Sequence, residues 1–149
     1  MTPMRRLPCA LLFLAMAAHA AEGHAVATYT IVSDGIPASL TATPGDMQRG
    51  ATIVLDRQTG LCVLCHQAPA STEKIHSNIA GNLAGAGSRW TQAQLRLRVV
   101  DSRQLDPASI MPAYHRIDGL RRVGAAWAGQ PILNAQQIED VVAYLVTLK

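Results

Sequence analysis

Two cysteines and a histidine lie close together in residues 61–66, whose sequence LCVLCH contains the pattern Cys-x-x-Cys-His. In a helical turn, the spacing i, i+3, i+4 places all three side chains on one face. Two thiols can then reach the two vinyl groups of a haem while the imidazole reaches its iron, which is the chemistry of covalent haem c attachment. The motif therefore predicts one haem c, bonded through Cys62 and Cys65 and ligated by His66.

Other chemistries also use closely spaced cysteines. A thioredoxin-like dithiol would explain Cys62 and Cys65 but would leave the adjacent His66 without a role. A zinc site would need a second pair of ligands, and the exported chain has no further cysteine to supply one. A chance pair closed as a disulfide is the remaining alternative. The spacing, the predicted export and a later methionine together favour haem.

A second axial ligand to the iron is predicted at Met111, in the run Ile110-Met111-Pro112. Met111 is the only methionine after the haem motif, and Pro112 fixes the backbone direction beside it. A thioether is a soft, neutral ligand, and opposite His66 it gives a six-coordinate iron of raised potential. The alternatives are Met111 as core filler and His115 as the ligand, which would lower the potential.

The first twenty residues have the pattern of a secretory signal. Arg5 and Arg6 precede an apolar run from residue 7 to 18, and a small-x-small site ends at Ala20. The run is too short to anchor the chain in a bilayer. Because haem c is attached outside the cytoplasm to an unfolded chain, we expect unfolded export instead of the twin-arginine route. The expected outcome is cleavage after about Ala20, loss of Cys9, and a periplasmic protein with no membrane span.

The predicted mature chain, residues 21–149, suits a single domain with its own core. Lys and Arg number 13 in the full chain, and without Arg5 and Arg6 there remain 11 against 10 acidic residues, a net charge near +1. This balance gives no support to nucleic-acid binding. We expect an extended N-terminal arm over residues 21–45, followed by an all-α domain over residues 46–149.

Three helices are predicted within that domain. The first starts at the N-cap Asp46 and runs to about Asp56, and its internal Gly50 indicates a close helix crossing. The second, capped by Thr91, covers 92–101 and is expected to be half exposed. The third starts at Asn134 and extends to Leu148 with the strongest helical periodicity in the chain. Tyr144 of this last helix is expected to meet Gly50 where the two helices cross.

Two further groups of residues have a simpler expected role. The small residues of 79–87 are expected to form a loop on the His66 side of the haem, and His76 is expected to be a solvated loop histidine. Six arginines could form a basic rim for an acidic partner, but we favour scattered surface charges balanced by Asp101, Asp106 and Asp118. These arginines are Arg96, Arg98, Arg103, Arg116, Arg121 and Arg122.

The glycine-bearing first helix, the haem motif, Met111-Pro112 and the aromatic last helix together resemble a class I cytochrome c. A closer resemblance is to the SoxX family, the monohaem subunits of the SoxAX thiosulfate-oxidising complexes. The segments that carry it are IPASLT at 36–41, PGD at 44–46, LRLRVVD at 95–101, IMPAY at 110–114 and IEDVVAYL at 138–145. Together they span most of residues 28–149.

This resemblance implies an electron-relaying subunit paired with a SoxA-like cytochrome. In the family, the complex joins thiosulfate oxidatively to a cysteine of the carrier SoxYZ, and electrons pass onward to a downstream acceptor. Haem attachment carries over to Cys62 and Cys65, and axial ligation to His66 and Met111. Because both mature cysteines are committed to the haem, the catalytic cysteine is expected on the partner subunit. The alternative is a freely diffusing monohaem electron carrier.

One departure from the class I pattern lies in Ala80-Gly81-Asn82-Leu83. Many cytochromes c have Gly-Pro before the Asn-Leu pair, and a backbone carbonyl there orients the histidine ring. Because Gly81 is less rigid than proline, we expect a weaker constraint on His66 at this point.

Overall fold

The computed structural model describes residues 25–69 and 77–149. Within these ranges the chain forms helices α1 (Met47–Leu55), α2 (Ala86–Arg89), α3 (Gln92–Asp101) and α4 (Ala135–Thr147). Short 3-10 turns cover Cys62–Leu64, Ser102–Gln104 and Ala125–Trp127, and the described residues contain no β-strand beyond an isolated bridge between Val32 and Gly35. The predicted all-α fold is confirmed. No helix among the described residues is long and apolar enough to cross a membrane.

Several predictions fall outside the described residues. They are the signal segment 1–20 with Cys9, the first four residues of the arm, and the loop histidine His76.

The three longer helices begin where capping chemistry predicts. Asp46, Thr91 and Asn134 each accept a hydrogen bond from the backbone amide three residues later. In α3 and α4 the glutamine at that third position also bonds back to the cap amide, which completes a capping box. Local sequence therefore sets the start of each helix, and packing need only select its orientation.

Helices α1 and α4 cross with their backbones in close contact. A Cβ on Gly50 would overlap the backbone carbonyl oxygen of Asp140 and would lie 2.9 Å from the Cβ of Tyr144. Gly45, just before α1, meets the same helix, because a Cβ there would overlap the carbonyl of Glu139. Only glycine permits this approach. The predicted crossing, with Tyr144 against Gly50, is confirmed.

Helix α3 is more deeply buried than the sequence predicts. The Arg96 side chain is 3% exposed, and its guanidinium donates to both carboxylate oxygens of Glu139 at 2.7 and 2.9 Å and to the Ile36 carbonyl at 2.6 Å. Asp101 is fully buried as well. The expectation of a half-exposed helix with solvated charges is therefore wrong at these positions. The reason is that the N-terminal arm covers one side of α3 while α4 packs on another.

The described part of the N-terminal arm, residues 25–45, contains no helix and is attached to the helices of the domain. Ile36 is fully buried in the core, and its amide donates to the Ala93 carbonyl at 2.9 Å. The Leu40 amide donates to Oε1 of Glu139 at 2.9 Å. The arm thus contributes a core residue and hydrogen bonds to two helices, so its removal would expose the buried pair of Arg96 and Glu139.

The sequence does not predict helix α2, because Ala86 and Gly87 are assigned to the loop of small residues at 79–87. It begins after Gly85, whose φ of 73° favours glycine. The Gly87 amide donates to the Leu148 carbonyl at 2.8 Å, and Lys149 Nζ donates to the Gly87 carbonyl at 2.7 Å. Docking against the end of α4 therefore stabilises a four-residue helix that has no sequence signal of its own.

Candidate haem site

The Cys-x-x-Cys-His motif forms a single helical turn, which residues 56–61 separate from the end of α1. The amides of Cys65 and His66 both donate to the Cys62 carbonyl, at 3.1 and 2.9 Å. The turn is seated against α1 through Gly60, where a Cβ would overlap the carbonyl oxygen of Ile53. The sequence thus brings two thiols and an imidazole together on a turn whose position is fixed by the preceding helix.

A cleft of about 380 Å³ opens over this turn. Its second wall comes from the loop 109–114, which includes Met111, Pro112 and the buried Tyr114. Cys62, Cys65, His66 and Met111 all line the cleft, so the structure brings together every residue predicted to hold the haem. The volume is that of a site for a cofactor-sized ligand.

The inner end of the site is apolar. A smaller cavity of about 30 Å³ is lined by Cys62, His66, Met111 and Tyr114, which also line the cleft. Its other walls come from α1, α3, α4 and two loop leucines, through Val54, Leu83, Val99, Leu133, Val141 and Leu145. The four shared side chains therefore stand between an open cleft and the hydrophobic core, so one side of the site is apolar.

His66 is oriented by the loop that follows the motif. Its Nδ1 lies 2.6 Å from the Gly81 carbonyl oxygen. Since a carbonyl can only accept, Nδ1 carries the proton and Nε2 retains the lone pair that binds a metal. The loop is itself tied to the motif, because the Ala80 amide donates to the Cys65 carbonyl at 2.9 Å. Glycine at position 81 thus still supplies the orienting carbonyl.

The Met111 loop is held by serine hydroxyls that the sequence analysis did not single out. Ser109 Oγ accepts from the Met111 amide at 3.3 Å and lies 2.8 Å from Ser102 Oγ at the end of α3. Ser102 Oγ also contacts the Met111 carbonyl at 3.4 Å. The signal available in the sequence was weak, since serine is common in loops. These bonds connect the position of Met111 to the end of α3.

His115, the rival ligand, is placed elsewhere. It is fully buried, its Nδ1 lies 2.8 Å from the Leu133 carbonyl, and its Nε2 accepts from the Ala27 amide at 2.9 Å. It does not line the cleft. With both ring nitrogens bonded to backbone, His115 joins the N-terminal arm to the segment before α4, and Met111 is the better placed of the two candidates.

The alternatives to haem gain no support from the geometry. Burial raises the pKa of the Cys62 thiol to about 11, which leaves it protonated and weakly nucleophilic, unlike the low-pKa cysteine of a dithiol oxidoreductase. Cys62 and Cys65 are not joined as a disulfide. Among the described residues, no three His, Cys, Asp or Glu side chains form a metal-binding cluster, so a zinc site is not supported.

Comparison with known proteins agrees with this geometry. The sequence model of the cytochrome c family matches residues 47–149, more than half of the chain. The chain belongs to the cytochrome c family. A search of curated proteins found no match to this cytochrome. Among solved structures, the cytochrome is similar to a chain of SoxXA from P. pantotrophus, with 43% identity and a TM-score of 0.74, over 81% of this chain and 94% of that chain.

These matches confirm the predicted resemblance to SoxX and the presence of a covalent haem c. Cys62, Cys65 and His66 occupy the Cys-x-x-Cys-His position of the family. The side chains of the cleft fit a covalent haem c. They offer two thiols, an imidazole with a free Nε2 and a thioether within an apolar pocket.

Proposed function

We propose that this cytochrome is the electron-relaying monohaem subunit of a periplasmic complex of the SoxAX type. The observation that carries the proposal is the 43% identity to a chain of the SoxXA structure, since the two match over 94% of that chain. At this level of identity and coverage, the likeness extends to more than the haem motif. A SoxA-like cytochrome is therefore the expected partner.

Within the cleft, we assign covalent attachment to Cys62 and Cys65, and axial ligation to His66 and Met111. The assignment is supported by the convergence of all four side chains on one cavity. When bound, haem c supplies an iron that gains and loses one electron. The chain fixes how easily it does so, through the choice of ligands and the surroundings of the iron.

The residues of the chain favour the reduced state. The Gly81 carbonyl holds His66 in the tautomer whose Nε2 can bind a metal. The Met111 thioether is neutral and soft, and its loop is held by Ser102 and Ser109. The apolar inner wall solvates charge poorly and so raises the cost of additional positive charge. The thioether and the apolar wall therefore raise the reduction potential, whereas the bond from Gly81 fixes the orientation of the His66 ring.

The proposed reaction is divided between chains. Thiosulfate becomes bonded through sulfur to a carrier cysteine on a SoxYZ-like protein, and this oxidation releases two electrons and the thiol proton. This cytochrome would pass the electrons on to a downstream acceptor, one at a time. Both of its mature cysteines are taken by the haem, so the thiol that enters the reaction must belong to another chain.

The proposal includes export and processing. Residues 1–20 act as the signal peptide, residues 21–45 as the N-terminal arm, and residues 46–149 as the cytochrome domain. The domain boundary is supported by Asp46, which caps α1 and whose amide also donates to Asp140 at 2.8 Å. Mass spectrometry of the mature N-terminus would test the cleavage after about Ala20.

Affinity purification of the tagged mature chain from its native periplasm tests the subunit assignment. We expect a second haem-bearing cytochrome in equal amount, identified by haem staining and mass spectrometry. A haem-bearing chain that purifies alone, at a concentration where a tight pair would persist, would contradict the proposal and would favour the freely diffusing carrier.

A further inference from the structure

A second groove of about 280 Å³ lies beside the haem cleft, and we call it the arginine groove. It is lined by Arg103, Arg116 and Arg122 and by apolar side chains that include Val123 and Trp127. Ile110 and Pro112, which flank Met111, line both the groove and the haem cleft. Any molecule bound in the arginine groove would therefore contact the loop that carries Met111.

The groove carries an excess of positive charge. Arg116 is paired with the buried Asp101, its Nη1 lying 2.7 Å from Oδ2. Arg103 donates from Nε to the Ser109 carbonyl at 3.3 Å, and within the described part of the chain neither Arg103 nor Arg122 has an acidic partner. None of the described residues that line the groove is acidic. Two guanidinium charges therefore remain unbalanced.

A buried donor in the groove also lacks an acceptor. The Nε of Arg116 is inaccessible to solvent and forms no hydrogen bond with any described residue. Buried donors of this kind are rare in folded proteins, because each unmade hydrogen bond costs free energy. Arg116 therefore lines the groove with a guanidinium whose hydrogen-bonding capacity the described residues do not fully use.

Large apolar side chains are exposed around these charges. Ile110 is 74% exposed, Val123 is 40% exposed and Trp127 is 37% exposed. Apolar surface combined with arginine and tryptophan is typical of the centre of a protein interface, and it differs from a site for a small inorganic anion. The surface therefore fits a protein segment that presents both a carboxylate and an apolar side chain.

We propose that the arginine groove binds an acidic segment of the partner cytochrome subunit. A carboxylate of the segment pairs with Arg122 and Arg103, and an adjacent apolar side chain packs on Trp127. This inference rests on the proposed function, which supplies the partner. Because the groove shares Ile110 and Pro112 with the haem cleft, binding there would set the partner at the mouth of the cleft.

The test compares Arg122→Glu with Arg121→Glu in the haem-loaded cytochrome. Both arginines are exposed and adjacent, but only Arg122 lines the groove, so Arg121→Glu is a control with the same change in charge. We expect Arg122→Glu to raise the dissociation constant of the purified partner subunit about tenfold or more, and Arg121→Glu to raise it about threefold or less. Isothermal titration calorimetry measures both. The visible spectrum and thermal midpoint of each free variant should match those of the parent.

A second variant, Trp127→Ala, tests the apolar part of the site and should also weaken binding about tenfold. Equal weakening by Arg121→Glu and Arg122→Glu would overturn the inference, because it would reflect net charge alone. Unchanged binding by Arg122→Glu would overturn it as well. Suppose that the parent binds a second cytochrome, but Arg122→Glu and Arg121→Glu bind it equally well. The proposed function then stands while the inference fails. If the parent binds no second cytochrome, both fail.

Discussion

The crossing of α1 and α4 and the mouth of the haem cleft are built in different ways. At the crossing, Gly50 allows backbone to lie against backbone, and the buried carboxylate of Asp140 accepts bonds from the Asp46 amide and from Arg49. At the mouth, Met111 is held by serine hydroxyls at distances of 3.3 and 3.4 Å.

The difference shows which part of the chain carries the stability and which carries the chemistry. The crossing is specified by steric fit and by buried charges, and it tolerates little change. The mouth is specified by a few side-chain bonds on loops, and the bonds between the chain and its haem are expected to complete its order. Substitutions at the crossing should therefore change unfolding, and substitutions at the mouth should change redox properties and binding.

The largest loss of stability is expected from Glu139→Ala. Arg96, 3% exposed, would lose the only carboxylate with which it pairs among the described residues, and the Leu40 amide would lose its acceptor. Removing one partner of a buried ion pair costs about 3–5 kcal/mol. Denaturation of the haem-loaded protein in guanidinium chloride measures the change. Arg49→Ala is the comparison, because the group removed is itself 55% exposed and the buried Asp140 keeps its bonds from the Asp46 amide and Gln136, so the loss should be smaller. Equal losses would refute the distinction between a pair with both partners buried and a pair with one partner exposed.

A smaller loss is expected from Gly50→Ala. Alanine favours a helix by about 1 kcal/mol over glycine, but here its Cβ would overlap the Asp140 carbonyl. Overpacking of this kind costs about 1–3 kcal/mol, so the net effect is destabilising. The matched control is Gly81→Ala in the loop beside His66, where a Cβ would meet no atom within 4 Å. We expect that variant to unfold within about 0.5 kcal/mol of the parent. Stabilisation by Gly50→Ala would contradict the close crossing.

The smallest effect on stability at neutral pH is expected from the protonation of the buried carboxylates Glu139 and Asp140. This effect grows as the solution becomes acidic. Burial acts to raise the pKa of Glu139, but hydrogen bonds from Arg96 and the Leu40 amide outweigh it, so the pKa lies below its usual value. The pKa of Asp140 is likewise lowered, because bonds from Arg49 and the Asp46 amide outweigh burial. Both carboxylates bind protons more weakly when folded, so they stabilise the fold above their ordinary range near pH 4 and cease to do so as the pH falls below it.

The thermal midpoint should therefore be nearly constant from about pH 7 to about pH 5 and should fall below about pH 4. Asp140→Asn should reduce the steepness of that fall, since one of the two groups no longer takes up a proton. A variant curve parallel to that of the parent would show that Asp140 is not one of the groups responsible.

The sequence predicted the parts of this molecule that depend on local pattern. The caps Asp46, Thr91 and Asn134 gave the helix starts, the motif at 62–66 gave the haem, and Gly50 gave the crossing. It missed the burial of Arg96 and Asp101, because a charged residue on a helix looks the same whether or not an arm and a second helix cover it. Such pairings join residues far apart in the chain, for example Arg96 and Glu139, and no local spacing encodes them.

The same limit applies within the haem site. The proposed attachment residues Cys62 and Cys65 and the proposed ligands His66 and Met111 follow from motif and composition. The contributions of Ser102 and Ser109 do not, because serine occurs in most loops and only the fold brings these side chains close to Met111. The orienting carbonyl at Gly81 was expected from the resemblance to class I cytochromes c, although with a weaker constraint. The exclusion of His115 from the cleft also required the fold, since four residues separate it from Met111 and either side chain can bind iron.

The central claim is that the cleft holds one covalent haem c between His66 and Met111. The most direct test is the reduction potential of Met111→Ala beside Met47→Ala, a control at an exposed methionine on α1. Intact mass should show one haem bonded to each variant. The potential should fall on the order of 100 mV or more in Met111→Ala only, within the span of about 0.8 V that axial ligands control. A Met111→Ala protein with the potential and visible spectrum of the parent would contradict the claim.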